Sequence, residues 1–142
     1  MVWDLQNLNY FAIVLAAITA NVISALWFGP YMFGSIWAPL VAKNQASVSG
    51  VPRAVPLVVS ILTSLVVAFL LAILVGQMGG GPNNGLVVGA IAGVGIFAMS
   101  GAPHAVFSNR PPLIFILEAS QTSASMVAMG VILGSWEKFL NA

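Results

Sequence analysis

Long apolar segments alternate with short polar ones along the chain, and their lengths match the hydrocarbon core of a bilayer. About 20 apolar residues in a helix are enough to cross that core. Segments of this kind run at about residues 10–28, 55–75, 86–107 and 112–136. Glycine and proline mark the breaks between them, at Gly29-Pro30, Gly81-Pro82 and Pro111-Pro112. The pattern predicts an all-α membrane protein, a bundle of four transmembrane helices with short loops that forms a single domain over residues 1–142.

The last apolar segment carries a stripe of polar residues. In a helix, Glu118, Gln121, Thr122 and Ser125 fall at i, i+3, i+4 and i+7 and therefore share one face. A charged side chain in the middle of a membrane costs on the order of 3 kcal/mol, so this face is predicted to turn away from lipid. It should contact other helices, a cavity or a partner chain.

Three further polar residues are candidates to shelter this stripe. His104 and Arg110 precede the last segment and lie at the same membrane face as Glu118, and Asn21 lies near the middle of the first segment. One interpretation is a structural polar cluster that fixes the register between helices. The other is a proton-binding carboxylate, tuned by burial and by Arg110 or His104, that is coupled to the movement of a small solute. A single histidine has no partner ligand, so no haem, metal or other cofactor is predicted.

Small residues indicate where helices pack closely. Gly85, Gly89 and Gly93 recur at four-residue spacing in the third segment, and Gly130 and Gly134 do so in the last. Such spacing lets two helix backbones approach each other, so these glycines are predicted to be packing residues. Ser60, Thr63 and Ser64 share a face of the second segment, which is interpreted as scaffold. The glycine-rich stretch at residues 76–85 predicts a tight turn that makes the second and third segments antiparallel neighbours.

Composition agrees with the membrane assignment and excludes several functions. Hydrophobic residues make up 60% of the chain, charged residues 5%, and the mean hydropathy is +1.03. A net charge of +1 leaves no basic surface for nucleic acid. Cysteine is absent, which excludes disulfides and thiolate metal sites. No nucleophile, base and orienting group can be recognised together, so the chain is predicted not to be an enzyme.

The few positive charges predict an orientation. Lys43, Arg53 and Arg110 fall in the first and third loops, whereas Lys138 falls on the opposite side. The positive-inside rule then places the N- and C-termini outside the cytoplasm. The N-terminal segment has no preceding positive charge and is interpreted as a retained first helix.

Several stretches carry a family resemblance. They are Asn9-Tyr10, the WFGPYMFGSIW segment, Arg110-Pro111-Pro112, the early acid Glu118 of the last segment and the closing MGVILGSW. On these the chain resembles a bacterial family of small four-helix membrane proteins known as domain of unknown function 1761. The resemblance implies a four-span fold and a multi-pass location in the bacterial inner membrane. It implies no activity, substrate or catalytic residue.

Two functional hypotheses follow. The first is an association or accessory protein, which acts as a homo-oligomer or as a subunit of a larger membrane complex; the small-residue faces and minimal loops favour it. The alternative is a proton-coupled transporter or channel for a small solute that uses Glu118. The expected partners are the lipid bilayer and other membrane protein subunits, with no nucleic acid.

Overall fold

Four membrane-length helices make up most of the chain. The computed structural model describes residues 5–44, 52 and 54–140, and for residues 44 and 137–140 it describes the backbone only. A 3-10 turn is followed by six α-helices and one π-helical segment: Leu5–Asn7, α1 Tyr10–Trp27, α2 Gly34–Asn44, α3 Ala54–Gln77, α4 Pro82–Ala90, the π-helical segment Ile91–Ala98, α5 Met99–Phe107 and α6 Pro112–Leu140. The helices Tyr10–Trp27, Ala54–Gln77, Pro82–Phe107 and Pro112–Trp136 are long and apolar enough to cross a membrane. The predicted all-α, four-span fold is confirmed.

The third span begins earlier than the hydropathy pattern predicts. It starts at Pro82, where proline occupies the first turn and Gly81 precedes it with a φ of 92°. Proline suits this position because the first helical N–H groups have no partner within the helix. The polar pair Asn83-Asn84 therefore belongs to the helix, and the Asn84 amide donates back to the carbonyl oxygens of Met78 and Gly80.

The helix α6 is the centre of the bundle. No residue of α6 from Gln121 to Trp136 is exposed. It contacts α1, α3, α4, the π-helical segment and, more weakly, α2 and α5. Because every spanning helix packs against α6, its polar residues from Gln121 onward lie inside the bundle and not on the lipid face.

The glycines of the third span pack against glycines and small residues of α6. A Cβ atom on Gly89 would lie 2.7 Å from Val127 Cα, and one on Gly93 would lie 2.7 Å from Ser123 Cα. One on Gly85 would lie 2.6 Å from the carbonyl carbon of Gly130. A side chain does not fit at such distances, so this interface needs glycine along the third span and, opposite Gly85, on α6 as well.

One backbone hydrogen bond crosses the same interface. The N–H of Gly81 donates to the carbonyl oxygen of Gly134 at 3.0 Å. This contact depends on the missing side chain at Gly134 as well as on the positive φ of Gly81. The third span therefore packs mainly against α6, and its contact with α3, the predicted neighbour, is the smaller of the two.

Apolar packing between α1 and α3 is concentrated toward the end of the bundle at the glycine-rich turn. The buried side chains there include Ala16 and Ala17 of α1 and Ala68, Leu71 and Val75 of α3. At the opposite end the helices separate. Every residue of α3 from Ala54 to Thr63 is exposed, and most of α5 is exposed as well. The bundle is thus tight at the turn Gly79–Gly81 and open at the end where α3 begins and α5 ends.

The short helix α2 lies at this open end. It begins at Gly34, where the backbone leaves no room for a Cβ beside the carbonyl groups of Phe28 and Gly29. Its contact with the bundle is with α6. Arg53, one of the charges on which the predicted orientation depends, lies outside the described residues, and the side chain of Lys138 does too.

Candidate functional site

A polar cavity of about 180 Å³ lies between α1, α3 and α6. Eight of its twelve lining residues carry uncharged hydroxyl or amide groups, and methionine and small apolar residues complete it, while carbon atoms contribute most of the lining surface. The lining residues are Ala20, Asn21, Ser24, Ser60, Thr63, Ser64, Val67, Gln121, Thr122, Ser125, Met126 and Met129. A polar site of this size has room for several water molecules.

The cavity lies deep in the predicted membrane. At a rise of 1.5 Å per residue, Ser60 is about 9 Å and Val67 about 20 Å along the axis from the first residue of α3. Ser60 and Thr63 are themselves exposed, so the cavity is continuous with the surface along the first half of α3. The separation of α3 from the bundle at this end creates the space.

Asn21 joins the α1 and α3 walls of the cavity. Its amide nitrogen donates to Ser64 Oγ at 2.7 Å and to the carbonyl oxygen of Ala17 at 2.8 Å. Its amide oxygen accepts a hydrogen bond from Ser60 Oγ at 2.8 Å. All the polar atoms of Asn21 are therefore engaged, which is what an amide in hydrocarbon requires.

The α6 wall retains unused hydrogen-bonding capacity. Gln121 Nε2 donates to Ser125 Oγ at 2.9 Å, and Thr122 Oγ1 lies 3.4 Å from Gln121 Oε1. An amide nitrogen carries two donors and a hydroxyl accepts as well as donates, so this set keeps free donors and acceptors. Within the described part of the chain, the Ser24 hydroxyl opposite makes no hydrogen bond. These groups can bind water or a small polar solute.

Glu118 belongs to a separate site, next to the cavity and one helical turn closer to the start of α6. Its carboxylate accepts two hydrogen bonds from the Arg110 guanidinium, at 3.1 Å from Nη1 to Oε2 and 3.0 Å from Nη2 to Oε1. It also accepts one from Trp37 Nε1 at 3.3 Å. The Trp37 ring stacks on Phe28, with ring centroids 4.5 Å apart. The carboxylate thus connects α6, α2 and the turn before α6.

Two tryptophans offer a matched test of this contact. Trp37 Nε1 donates to Glu118, whereas Trp27 Nε1 is buried without a hydrogen-bond partner among the described residues, and each ring packs on one phenylalanine. Trp37→Phe should lower the free energy of unfolding by about 1 kcal/mol more than Trp27→Phe, because only the first loses a hydrogen bond to a charged group. Thermal unfolding of both variants in detergent measures the difference. Equal losses would mean that the Trp37 contact does not hold α2.

His104 lies away from both sites. It is exposed, and its backbone carbonyl accepts hydrogen bonds from the N–H and the hydroxyl of Ser108. Its imidazole makes no hydrogen bond or ion pair with Arg110 or Glu118. The residues grouped as one cluster in the sequence are therefore in three places: Arg110 with Glu118, Asn21 with Gln121, Thr122 and Ser125 around the cavity, and His104 on the surface.

The α3 hydroxyls are the site residues that sequence reasoning missed. The sequence pattern predicts that Ser60, Thr63 and Ser64 are scaffold residues whose hydroxyls bond their own backbone or a neighbouring helix. Thr63 and Ser64 do so, to Val59, Ser60 and Ile61. They also line the cavity. Two features of the sequence indicate their role: the three hydroxyls share one face of α3, and Asn21, the one amide in α1, needs partners on a neighbouring helix.

The lining of the cavity contains no titratable side chain. Within the described residues, no three His, Asp or Glu side chains come close enough to hold a metal ion. The lining side chains are thus neutral donors and acceptors of hydrogen bonds.

Residues 11–134 match the model of a protein family described as "Protein of unknown function (DUF1761)". The match covers most of the chain, including α1, the cavity and the Arg110–Glu118 pair. No curated protein matches the chain, and no solved structure does.

Proposed function

The chain belongs to the DUF1761 family, and we propose that it binds small uncharged polar solutes in the membrane and allows them to cross. The observation that carries this proposal is the cavity between α1, α3 and α6, in which most lining residues are polar and none is charged. Neutral hydroxyls and amides can replace the water around a polar solute. A dehydrated ion would have no charged partner in this lining, which favours neutral solutes.

Two observations explain why this proposal is preferred over those that rest on the sequence alone. The small-residue faces are used inside the chain, between the third span and α6, and so offer little support for assembly with other chains. Glu118 is paired with Arg110 and Trp37 and does not line the cavity. A carboxylate held in this way has a structural role, so the proposal does not require it to carry protons.

Uptake of glycerol into liposomes tests the proposal. Vesicles that contain the protein should swell faster in glycerol than protein-free vesicles, with no increase in conductance to K⁺ or Cl⁻. The swelling rate should be the same at acidic and alkaline pH, since no titratable group lines the cavity. A rate equal to that of protein-free vesicles would overturn the proposal, and a strong pH dependence would restore the proton-coupled alternative.

Variants of α6 supply the matched control. Ser125 is buried at 4% exposure and lines the cavity, whereas Ser120 lies on the exposed side of the same helix and bonds the carbonyl of Ile116. Ser125→Leu should reduce glycerol uptake to the protein-free rate, and Ser120→Leu should leave it unchanged. Thr122→Val, which removes a hydroxyl at almost constant volume, should reduce uptake without unfolding the protein.

Association with a second chain is the other candidate function. The observation in its favour is the first half of α3, where every residue from Ala54 to Thr63 is exposed and Leu57 and Leu62 are among the most exposed. A partner helix that packs here would cover the entrance to the cavity. Native mass measured in lipid distinguishes the two candidates. Association requires a mass above that of one chain, and Leu57→Ser should reduce this mass.

The orientation in the membrane also belongs to the proposal. With Lys43 and Arg110 at the open end of the bundle, the positive-inside rule places that end and the cavity entrance in the cytoplasm. Reporter fusions at residue 142 should then give a non-cytoplasmic signal, and fusions in the loop between α2 and α3 a cytoplasmic one. A cytoplasmic signal at residue 142 would reverse the assignment.

A further inference from the structure

A second cavity lies against the same two helices, on the lipid side. It is an apolar groove of about 430 Å³ between α1 and α3. Its lining residues are Val14, Ala17, Ile18, Asn21, Val22, Ala25, Ile61 and Leu65. Apart from Asn21 every lining side chain is apolar, so in a bilayer this groove holds a hydrocarbon chain and not water.

Asn21 is the one residue that lines both the apolar groove and the polar cavity. Its hydrogen bonds to Ser60 and Ser64 cross the space between α1 and α3 and form the wall between the two. In this half of the bundle the wall is made of hydrogen bonds, because the buried apolar contacts of α3, at Ala68, Leu71, Ala72 and Val75, lie closer to its other end. Hydrogen bonds of this kind can be exchanged for equivalent bonds to a polar ligand, whereas apolar packing cannot.

We infer that the site binds a neutral amphiphile. Its small uncharged head group would lie in the polar cavity and its single hydrocarbon chain in the groove, and the junction between the two would lie at Asn21. The inference rests on the proposed function, because the head group would use the hydroxyls and amides that bind a small solute. The head is uncharged because the cavity lining holds no charged group. The chain is single because the groove is one channel between two helices.

The inference assigns Asn21 the role of a lateral gate. When the cavity is empty, the Asn21 amide bonds Ser60 and Ser64 and closes the wall. When a head group with its own donor and acceptor enters from the bilayer, the same three side chains bond it instead. The number of hydrogen bonds is conserved in the exchange, so opening the wall leaves no buried polar atom unpaired.

A monoacylglycerol whose chain carries a photoreactive diazirine is the probe for this site. It combines a glycerol head with one hydrocarbon chain. The protein is reconstituted in phosphatidylcholine vesicles with a trace of this probe, illuminated, and the labelled residues are mapped by peptide mass spectrometry. Label should concentrate at Val22, Ile61 and Leu65, and an excess of unlabelled monoacylglycerol should remove it. Equal amounts of a fatty acid or an alkane of the same chain length should not remove the label.

The decisive variant changes the cavity and leaves the groove intact. Ser125 does not line the groove, yet Ser125→Leu removes a hydroxyl and also fills the space of the head group, so it should reduce labelling at Val22 and Ile61 by more than the roughly tenfold that one lost hydrogen bond gives. Ser120→Leu is the control on the same helix. Ala25→Phe fills the groove itself and should also abolish labelling, whereas Ala54→Phe, on the exposed start of α3, should not.

Two results would overturn the inference. If Ser125→Leu leaves groove labelling unchanged, or if an alkane competes as well as monoacylglycerol, the groove only holds ordinary lipid chains. The proposed function is tested separately by glycerol uptake, which needs no occupied groove. If glycerol is taken up but Ser125→Leu does not reduce labelling of the groove, the proposed function is retained and the amphiphile is excluded. If Ser125→Leu does reduce labelling but glycerol is not taken up, the site binds an amphiphile and does not conduct small solutes.

Discussion

Gly89→Leu should prevent the protein from reaching its native fold. The Cβ atom of any residue at this position would lie 2.7 Å from Val127 Cα, and the rest of a leucine side chain would have to enter the backbone of α6. The third span would separate from α6, and the packing of neighbouring small residues would be lost with it. Overpacking of an ordinary core costs about 1–3 kcal/mol, and here the obstacle is backbone that cannot rotate away, so the loss should exceed that range. Thermal unfolding in detergent measures it.

Gly95 provides the matched control for this prediction. It lies in the same span, in the π-helical segment Ile91–Ala98, and a Cβ there would meet no atom within 4 Å. Gly95→Ala should keep or slightly raise stability, because alanine restricts the unfolded chain. Gly89→Ala should lower it by about 1–3 kcal/mol. Equal stability of the two alanine variants would show that the third span does not pack on α6 at Gly89.

Separating Arg110 from Glu118 should have the second largest effect. Arg110→Gln leaves a half-buried carboxylate with only the Trp37 N–H, and Glu118→Gln leaves a guanidinium without a counter-ion. Each single variant should lose about 2–4 kcal/mol, because an unpaired charge remains in the protein. The double variant should lose less than the sum, since it removes both charges together.

Two measurements check the pair. Unfolding of the two single variants and the double variant gives the coupling energy, expected at about 1–3 kcal/mol. Hydrogen exchange in α2 should rise in Glu118→Gln, because Trp37 loses its charged acceptor there. Additive losses with unchanged exchange in α2 would mean that the carboxylate does not hold α2 to α6.

The spans and the glycine positions could be read from the sequence because each depends on local pattern. Hydropathy alone gives the four helices, and the four-residue spacing of Gly85, Gly89 and Gly93 gives the face that packs. The identity of the partner helix could not be read in this way. The glycine-rich turn makes α3 and the third span consecutive, but the glycines of the third span pack on α6, which presents its backbone to them at Ser123 and Val127 and has glycine at Gly130 and Gly134.

The division of the polar residues also depends on geometry that the sequence does not encode locally. Glu118 and Gln121 share a stripe on α6, but Arg110, just before α6 begins, reaches forward along the helix and pairs with the Glu118 carboxylate. The cavity is left with the neutral residues. The exposure of His104 likewise follows from the divergence of α5 from α6 beyond the π-helical segment, where few contacts between them remain.

Water should fill the cavity between α1, α3 and α6, and the reactivity of a single cysteine tests this most directly. The chain has no cysteine of its own, so Thr122→Cys places one thiol on the α6 wall of the cavity. A thiol reacts as the thiolate, which forms where water is present. Thr122→Cys in lipid vesicles should therefore react with a small, uncharged, water-soluble thiol reagent such as iodoacetamide, whereas Leu70→Cys, at a position 53% exposed on the lipid side of α3, should not. If Thr122→Cys is as unreactive as Leu70→Cys, the cavity is dry and the account of its function is contradicted.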